Sequence, residues 1–405
     1  MASRGEINKK EIQPILSEKW DVIPFVSSIE NIGTFPKVKT SDCFEEGTYP
    51  VVDQSEKDIT GYINNEELLY KSDLPIIIFG DHTRNIKYVD FPFAAGADGT
   101  KILHTTSILD SKFFYYYLKS LQIPNLGYSR HYSILKQLDV PVPSLNEQKQ
   151  IAEKLDKLFD QIETIKEASN KIPELLKNFR QQVLTYAVTG KLTEEWRKER
   201  QLDEWHTELA KDCCEKVQSG GTPKGGQFAL SGIPFLKVYN IVGNKIDFES
   251  EPQYVSEEIQ NSQIKKSITY PGDVIMNIVG PPLNKVAIIP DTYKEWNINQ
   301  AITLFRPKEY LNNQYLYYFF CEGSSVNSVL DKTRGVVGQV NISLSQCRDF
   351  AISIPPMEEQ LEIVKRVQTL FDILDDVDRR YNVLCEKLEK LPQALLCKAF
   401  KGELI

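Results

Sequence analysis

Two short motifs in this chain invite a catalytic reading, and neither completes one. Gly280-Pro281-Pro282-Leu283 approximates the polar-Pro-Pro-aromatic motif with which an amino-methylating enzyme holds a flipped base. Glycine stands where the hydrogen-bond acceptor is required, and leucine where a ring should stack, so the segment reads as a turn after a strand. Gly220 to Gly226, GGTPKGG, looks like a phosphate cradle but lacks the G-x-x-x-x-G-K-[ST] spacing of a Walker loop. A flexible loop or a contact to a DNA backbone suits it better. Cys213-Cys214 suggests a metal, yet no His or Cys lies at ligand spacing. The four His have no convincing Ser, Cys or carboxylate partner in sequence. No catalytic residue, metal ligand or cofactor site is assigned, and a stand-alone transferase would be missing its motifs.

The 405 residues carry a net charge of −8. That length suits about two to four domains, each with a full core. Nucleic-acid binders are often basic, so the acidic balance counts against DNA binding by the whole surface. It leaves room for a local basic face and suggests a grip on DNA shared with another subunit. No stretch approaches the roughly 20 apolar residues of a membrane span. The opening MASRGEINKKEIQP has no apolar signal-peptide core, and the seven Cys are scattered without C-x-x-C. Reduced thiols and a cytoplasmic location are the expectation.

The elements that must position any site come in duplicate. Pro143–Thr193 aligns without a gap on Pro355–Ile405. Between the copies lie divergent blocks rich in Val, Ile, Tyr and Phe runs broken by Gly, Pro, Asn and Asp, which read as strands, for example Leu74 to Phe79 and Asp273 to Ile278. Each block also has an aromatic segment that reads as a helix, LDSKFFYYYLKS from Leu109 and LNNQYLYYFFCE from Leu311. Block starts match as well: Gly33-Thr34-Phe35-Pro36-Lys37 follows Trp20, and Gly221-Thr222-Pro223-Lys224 follows Trp205.

The repeats themselves are helical. In the first, Ile151, Leu155, Leu158, Ile162, Ile165, Ser169, Ile172, Leu176, Phe179, Val183 and Tyr186 alternate spacings of four and three. In the second, Ile363, Val367, Leu370, Leu374, Val377, Tyr381, Leu384, Leu388, Leu391, Leu395 and Lys398 do so. That is a coiled-coil a/d stripe of about five heptads. Ser144 and Glu147 have capping-box spacing, and Gly190 and Gly402 sit where a helix C-terminal glycine belongs. Pro173 and Pro392 should kink these helices or break them. A single stripe needs a partner, and the other copy, returning antiparallel, is the nearest. A bland alternative is a coiled coil that only joins two domains. Against it stand identities off the stripe: Glu147/Glu359, Gln148/Gln360, Phe159/Phe371, Asp160/Asp372 and Gln181/Gln393. Helix pairing does not require them, so they are expected to make one contact twice, with two copies of one partner.

These segments resemble the specificity subunit of type I restriction–modification enzymes, over nearly the whole chain. Pro143 to Gln148 (PSLNEQ) and Pro355 to Gln360 (PPMEEQ) look like that family's P-x-x-x-E-Q motif, and Ala187 to Leu192 and Ala399 to Leu404 look like its A-F-x-G-x-L motif. In the second block, Ser219 to Lys224, Ile233 to Ile241, Gly272 to Ile289 and Asn299 to Pro307 resemble its target-recognition domains. The first block lacks G-G-T-P and N-Q-A-I and carries Pro75 to Phe93 instead, which looks like another subtype. The resemblance implies an α+β fold of two globular strand-rich target-recognition domains separated by two long antiparallel coiled-coil helices, with a pseudo-twofold internal repeat. The expected boundaries are a tail over 1–19, recognition domains over 20–142 and 205–354, spacer helices over 143–193 and 355–405, and a linker over 194–204. It further implies a non-catalytic subunit whose domains each read half of a split, asymmetric double-stranded DNA site. The helices would set the spacing and dock two modification (adenine methyltransferase) subunits, with restriction subunits in the full complex. S-adenosylmethionine, ATP and Mg would belong to those partners. The alternative is a non-enzymatic coiled-coil scaffold with two protein- or glycan-binding domains.

Base and phosphate contacts come from exposed cations and amides in loops. The candidates in the first block are Lys37, Lys39, His82, Thr83, Arg84, Arg130 and His131. In the second they are Lys224, Lys237, Asn240, Asn284, Lys285, Arg334 and Gln339.

Overall fold

Each divergent block opens and closes on one antiparallel strand pair. In the computed structural model, which describes residues 8–97, 99–127, 129–226, 228–333 and 341–405, Asp21–Pro24 pairs with Asp139–Val142 and His206–Leu209 with Ala351–Ile354. The chain forms two units, one of Met1–Asn170 with Tyr381–Ile405 and one of Lys171–Arg380.

The first unit contains a three-stranded antiparallel sheet in the order Ile86–Val89, Ile76–Gly80, Thr100–Leu103. Its central strand is buried at every residue, which is why it reads in sequence as an unbroken apolar run rather than an alternation. A mixed sheet runs Lys37–Val38, Ala94–Gly96, Tyr49–Val52, Gly61–Ile63, with Ala94–Gly96 parallel to both neighbours. The second unit follows the same plan. Its antiparallel sheet runs Cys214–Ser219, Ile302–Pro307, Val274–Asn277, Val286–Ile288. Its mixed sheet contains the parallel pair Ile233–Leu236 and Trp296–Ile298.

The aromatic segments form the helices Ser111–Ser120 and Asn313–Glu322. Asp110 and Asn312 cap them, each side chain accepting two backbone N–H groups of the first turn. Such a cap is worth about 1 kcal/mol. Each aromatic helix presses into a core drawn from both repeats. In the first unit Phe113, Phe114 and Tyr117 pack with Ile151 and Leu155 of the first repeat and Ala399 and Phe400 of the second. In the second unit Tyr315, Leu316 and Phe320 pack with Val183 and Ala187 of the first repeat and Ile363 and Val367 of the second.

The repeats depart from expectation in three ways. The first is two helices, Leu145–Ser169 and Ile172–Val188, whereas the second is one helix, Met357–Phe400. At 1.5 Å per residue the 44-residue helix is about 66 Å long. Secondly, the apolar face is not a uniform stripe. Ile165, Phe179, Tyr186, Val377 and Leu391 on it are exposed, while Ala152, Leu184, Ala187, Leu396, Ala399 and Phe400 off it are buried. The buried face therefore widens where a helix meets its block. Thirdly, only half of the capping box forms: Ser144 Oγ accepts from Glu147 N at 3.3 Å, but the Glu147 side chain turns to Trp20. Gly190 and Gly402 do take the left-handed conformation, with φ of 75° and 73°.

The tail and the linker carry structure too. Lys9–Ile12 is helical, Ile12 is buried, and Gln13 Nε2 donates to Asp139 O at 2.6 Å. Glu194–Arg200 in the linker is a helix whose Arg197 reaches Glu359. Among the described residues no helix is long and apolar enough to cross a membrane.

Candidate nucleic-acid and partner interface

In the first block the turn between Ile76–Gly80 and Ile86–Val89 is braced by Gln54. His82 N donates to Gln54 Oε1 at 3.0 Å, and Thr83 Oγ1 and Asn85 Nδ2 both donate to Gln54 O. Thr83 remains exposed and His82 half-buried. Arg84 turns inward: at φ 65° its Nη1 donates to Ile123 O at 3.0 Å. Beside it lies a polar hollow of about 400 Å³ lined also by Lys87 and Lys119, both with pKa values pushed down by burial. Sequence reasoning passed over these two lysines and Gln54, because an isolated polar residue in a strand or helix carries no positional signal.

His131 is corrected outright. It is fully buried, its Nδ1 lies 2.9 Å from Asp81 O, and Leu126 N donates to its Nε2 at 3.1 Å. With Nε2 accepting, Nδ1 carries the proton, so both ring nitrogens serve the fold and none is left for DNA. Lys37, Lys39 and Arg130 are exposed. Lys37 Nζ sits over the Phe35 ring at 5.3 Å.

In the second block Asn240 is corrected for the same reason. It is 1% exposed, accepts from Lys237 N, and donates to Asp247 O and Glu251 O. Asn284 is half-buried at φ 63°, with Nδ2 donating to Phe320 O at 3.1 Å. Lys285 Nζ reaches Val238 O at 3.5 Å, while Lys237 lies over Phe228 at 4.6 Å. Lys224 is exposed beside Gly225 and Gly226, whose positive φ angles open onto free space. Arg334 and Gln339 lie outside the described residues. Gly280 to Leu283 is a turn after the strand Val274–Asn277, held by the buried Asn277, which donates to Pro282 O and accepts from Lys285 N. Cys213 and Cys214 are buried free thiols, and among the described residues no three His, Cys, Asp or Glu side chains gather as a metal site.

The off-stripe identities of the repeats mostly face inward. Gln148 is fully buried; its Oε1 accepts from Asp110 N at 2.7 Å and its Nε2 donates to Ile108 O and Pro143 O. Gln360 does the same to Asn312 N, Tyr310 O and Pro355 O. Glu147 accepts from Trp20 Nε1 at 2.9 Å, and Glu359 from Trp205 Nε1 at 2.8 Å. Phe159 stacks on Tyr116 and Phe371 meets Tyr318 edge-on. Gln393 donates to Ser120 O and Gln181 to Glu322 O. These residues recur because equivalent positions of the two copies make equivalent contacts to the two blocks. The expected partner role is corrected for buried Gln148, Glu359 and Gln360, which present no surface to another chain. Asp160 and Asp372 stay exposed.

The duplicated closure, the paired mixed and antiparallel sheets and the doubled Trp–Glu and Gln contacts define one architecture used twice. The family model described as "Type I restriction modification DNA specificity domain" matches residues 18–174 and 203–384, and the chain belongs to that family. It is 28% identical over 261 residues to the type I restriction enzyme EcoBI specificity subunit of Escherichia coli, covering 61% of this chain and 54% of that protein. To the EcoR124I/EcoR124II specificity subunit of Escherichia coli it is 26% identical over 373 residues, covering 87% and 85%. The chain thus spans about half the length of EcoBI-like relatives and most of the EcoR124I one. The HsdS subunit of Thermoanaerobacter tengcongensis shares the fold, with a TM-score of 0.64 at 17% identity over 96% of this chain and 98% of that one.

Proposed function

We propose that the chain is the non-catalytic DNA-specificity subunit of a type I restriction–modification complex. The observation that carries this is a common frame, built twice, around two blocks whose exposed loops differ. Each block would read one half of a split, asymmetric double-stranded site. In the first block the reading falls to Lys37, Lys39, Thr83 and Arg130, with His82 beside them. In the second it falls to Lys224, Lys237 and Lys285, of which Lys224 is exposed and the other two half-buried. Cations near loops suit phosphate and guanine contacts. Pairing of the repeats as an antiparallel coiled coil with pseudo-twofold symmetry would set the half-site spacing. Exposed apolar positions such as Phe179, Ile373 and Val377, with Asp160 and Asp372, supply surface for two modification subunits. Adenine methylation would be theirs, using S-adenosylmethionine, and ATP and Mg would serve restriction subunits.

The test is reconstitution of the full chain with its modification subunit, followed by methylome sequencing. A split motif methylated only when this chain is present, in a complex with two modification subunits, is the expected result. Methyl transfer by the chain alone, or loss of no split motif on its deletion, overturns the reading.

A further inference from the structure

Each aromatic helix is held at both ends, and the two ends are held by different repeats. In the first unit Gln148, from the first repeat, takes the N–H of the N-cap residue Asp110. Gln393, from the second repeat, donates at 3.0 Å to Ser120 O, the carbonyl of the helix's last residue. The second unit has the same clip with the repeats exchanged. Gln360, from the second repeat, takes Asn312 N–H at 2.7 Å, and Gln181, from the first, donates at 2.7 Å to Glu322 O at the helix end. A primary amide offers both a donor pair and an acceptor, which is what a helix N-cap N–H and an orphan C-terminal carbonyl demand.

All four glutamines act on main-chain atoms. The clip is therefore indifferent to block sequence, and it is the same in two blocks that differ elsewhere. We infer that Gln393 and Gln181 are positioning residues: by tying the far end of each aromatic helix to the opposite repeat, they fix the angle at which a block is presented, and so the separation of half-sites the protein accepts. This deepens the proposed function and rests on it. With the N-terminal clip alone a block keeps its reading surface but gains a pivot.

Gln393 is the part-buried member and gives the cleaner test. Full-length chain with its modification subunit is offered a DNA library in which the two half-sites are separated by the preferred spacer or by one base pair more or less. Gln393→Ala is expected to reduce the preference for the native spacer about fivefold, the worth of one hydrogen bond, with base preferences within each half-site unchanged. Gln393→Glu, of equal size but without a donor at neutral pH, should behave as Ala; Gln393→Lys, which restores a donor, should recover the preference. Hydrogen exchange of the last turn of Ser111–Ser120 in the free full-length chain is read in parallel and should quicken in Ala and Glu but not Lys. Retained selectivity and protection in Gln393→Glu would overturn the inference, as would equal loss in all three variants, which marks a merely structural position. Donor-dependent exchange in a wild type with no split-site preference would leave the clip standing and overturn the spacing role, together with the functional reading.

Discussion

The two helical repeats align residue for residue, yet one is broken and the other is not. In the first, Ser169 Oγ back-bonds to Lys166 O, Asn170 ends the helix, and Pro173 falls in the first turn of the next. There the missing N–H would have had no partner in any case. In the second, Pro392 lies deep inside Met357–Phe400, after a run of Glu, Lys and Leu that favours helix on both sides of it. Proline alone does not decide between a break and continuation; its distance from a competent helix start does. A second difference concerns the shared glutamate. Glu147 has Trp20 as its hydrogen-bonding partner, whereas Glu359 is fully buried and also takes Thr193 Oγ1 at 2.6 Å and Arg197 Nη1 at 3.1 Å. The linker helix supplies that cation.

The sharpest way to break this comparison is Arg197→Ala. It leaves a buried carboxylate without its cation and should destabilise the second unit by about 3–5 kcal/mol, whereas Glu147→Gln in the first should cost about 1 kcal/mol; urea denaturation of the full chain, followed at Trp20 and Trp205, measures both. Next, Pro392→Ala should raise stability by up to about 3 kcal/mol, while Pro173→Ala should change it by less than about 0.5 kcal/mol. Equal effects would show that the two prolines share one environment. Gln148→Leu and Gln360→Leu should each cost about 2 kcal/mol, because each orphans a capping N–H; unequal costs in thermal melts would mean that the two clips are not equivalent. The gentlest contrast is with pH. Burial pushes Cys321 and Cys347 up to about 12 from 9.0. Their folded-state pKa values exceed the unfolded ones, so the unfolded chain releases protons first and stability falls as pH rises from 9 towards 12. Replacing Cys347 by Ala should flatten the alkaline limb of the second unit's unfolding curve, and an unchanged limb would discount the thiol.

Much of the scaffold was legible. The aromatic segments read as helices from sequence, and the structure adds the side chains that start them, Asp110 and Asn312. Buried strands showed as continuous β-branched runs, and Gly190 and Gly402 marked helix ends. Candidate contacts were less legible. His131, Asn240 and Arg84 have the residue types of DNA readers, but each bonds main-chain groups instead: His131 meets Asp81 O and Leu126 N, Asn240 meets Lys237 N, Asp247 O and Glu251 O, and Arg84 Nη1 donates to Ile123 O. Gln148 and Gln360 looked like partner contacts because a recurring polar residue off an apolar stripe has no local purpose. Their purpose lies in cap and carbonyl groups of another element.

By itself the sequence determined that the chain is built twice from a strand-rich block and a helical repeat, since periodicity, capping residues and internal identity are local and survive without coordinates. Tertiary structure alone decided what the shared residues are for. Hydrogen bonds of buried amides and carboxylates are satisfied by whichever main-chain groups folding brings within about 3 Å, and no spacing along the chain records which groups those are.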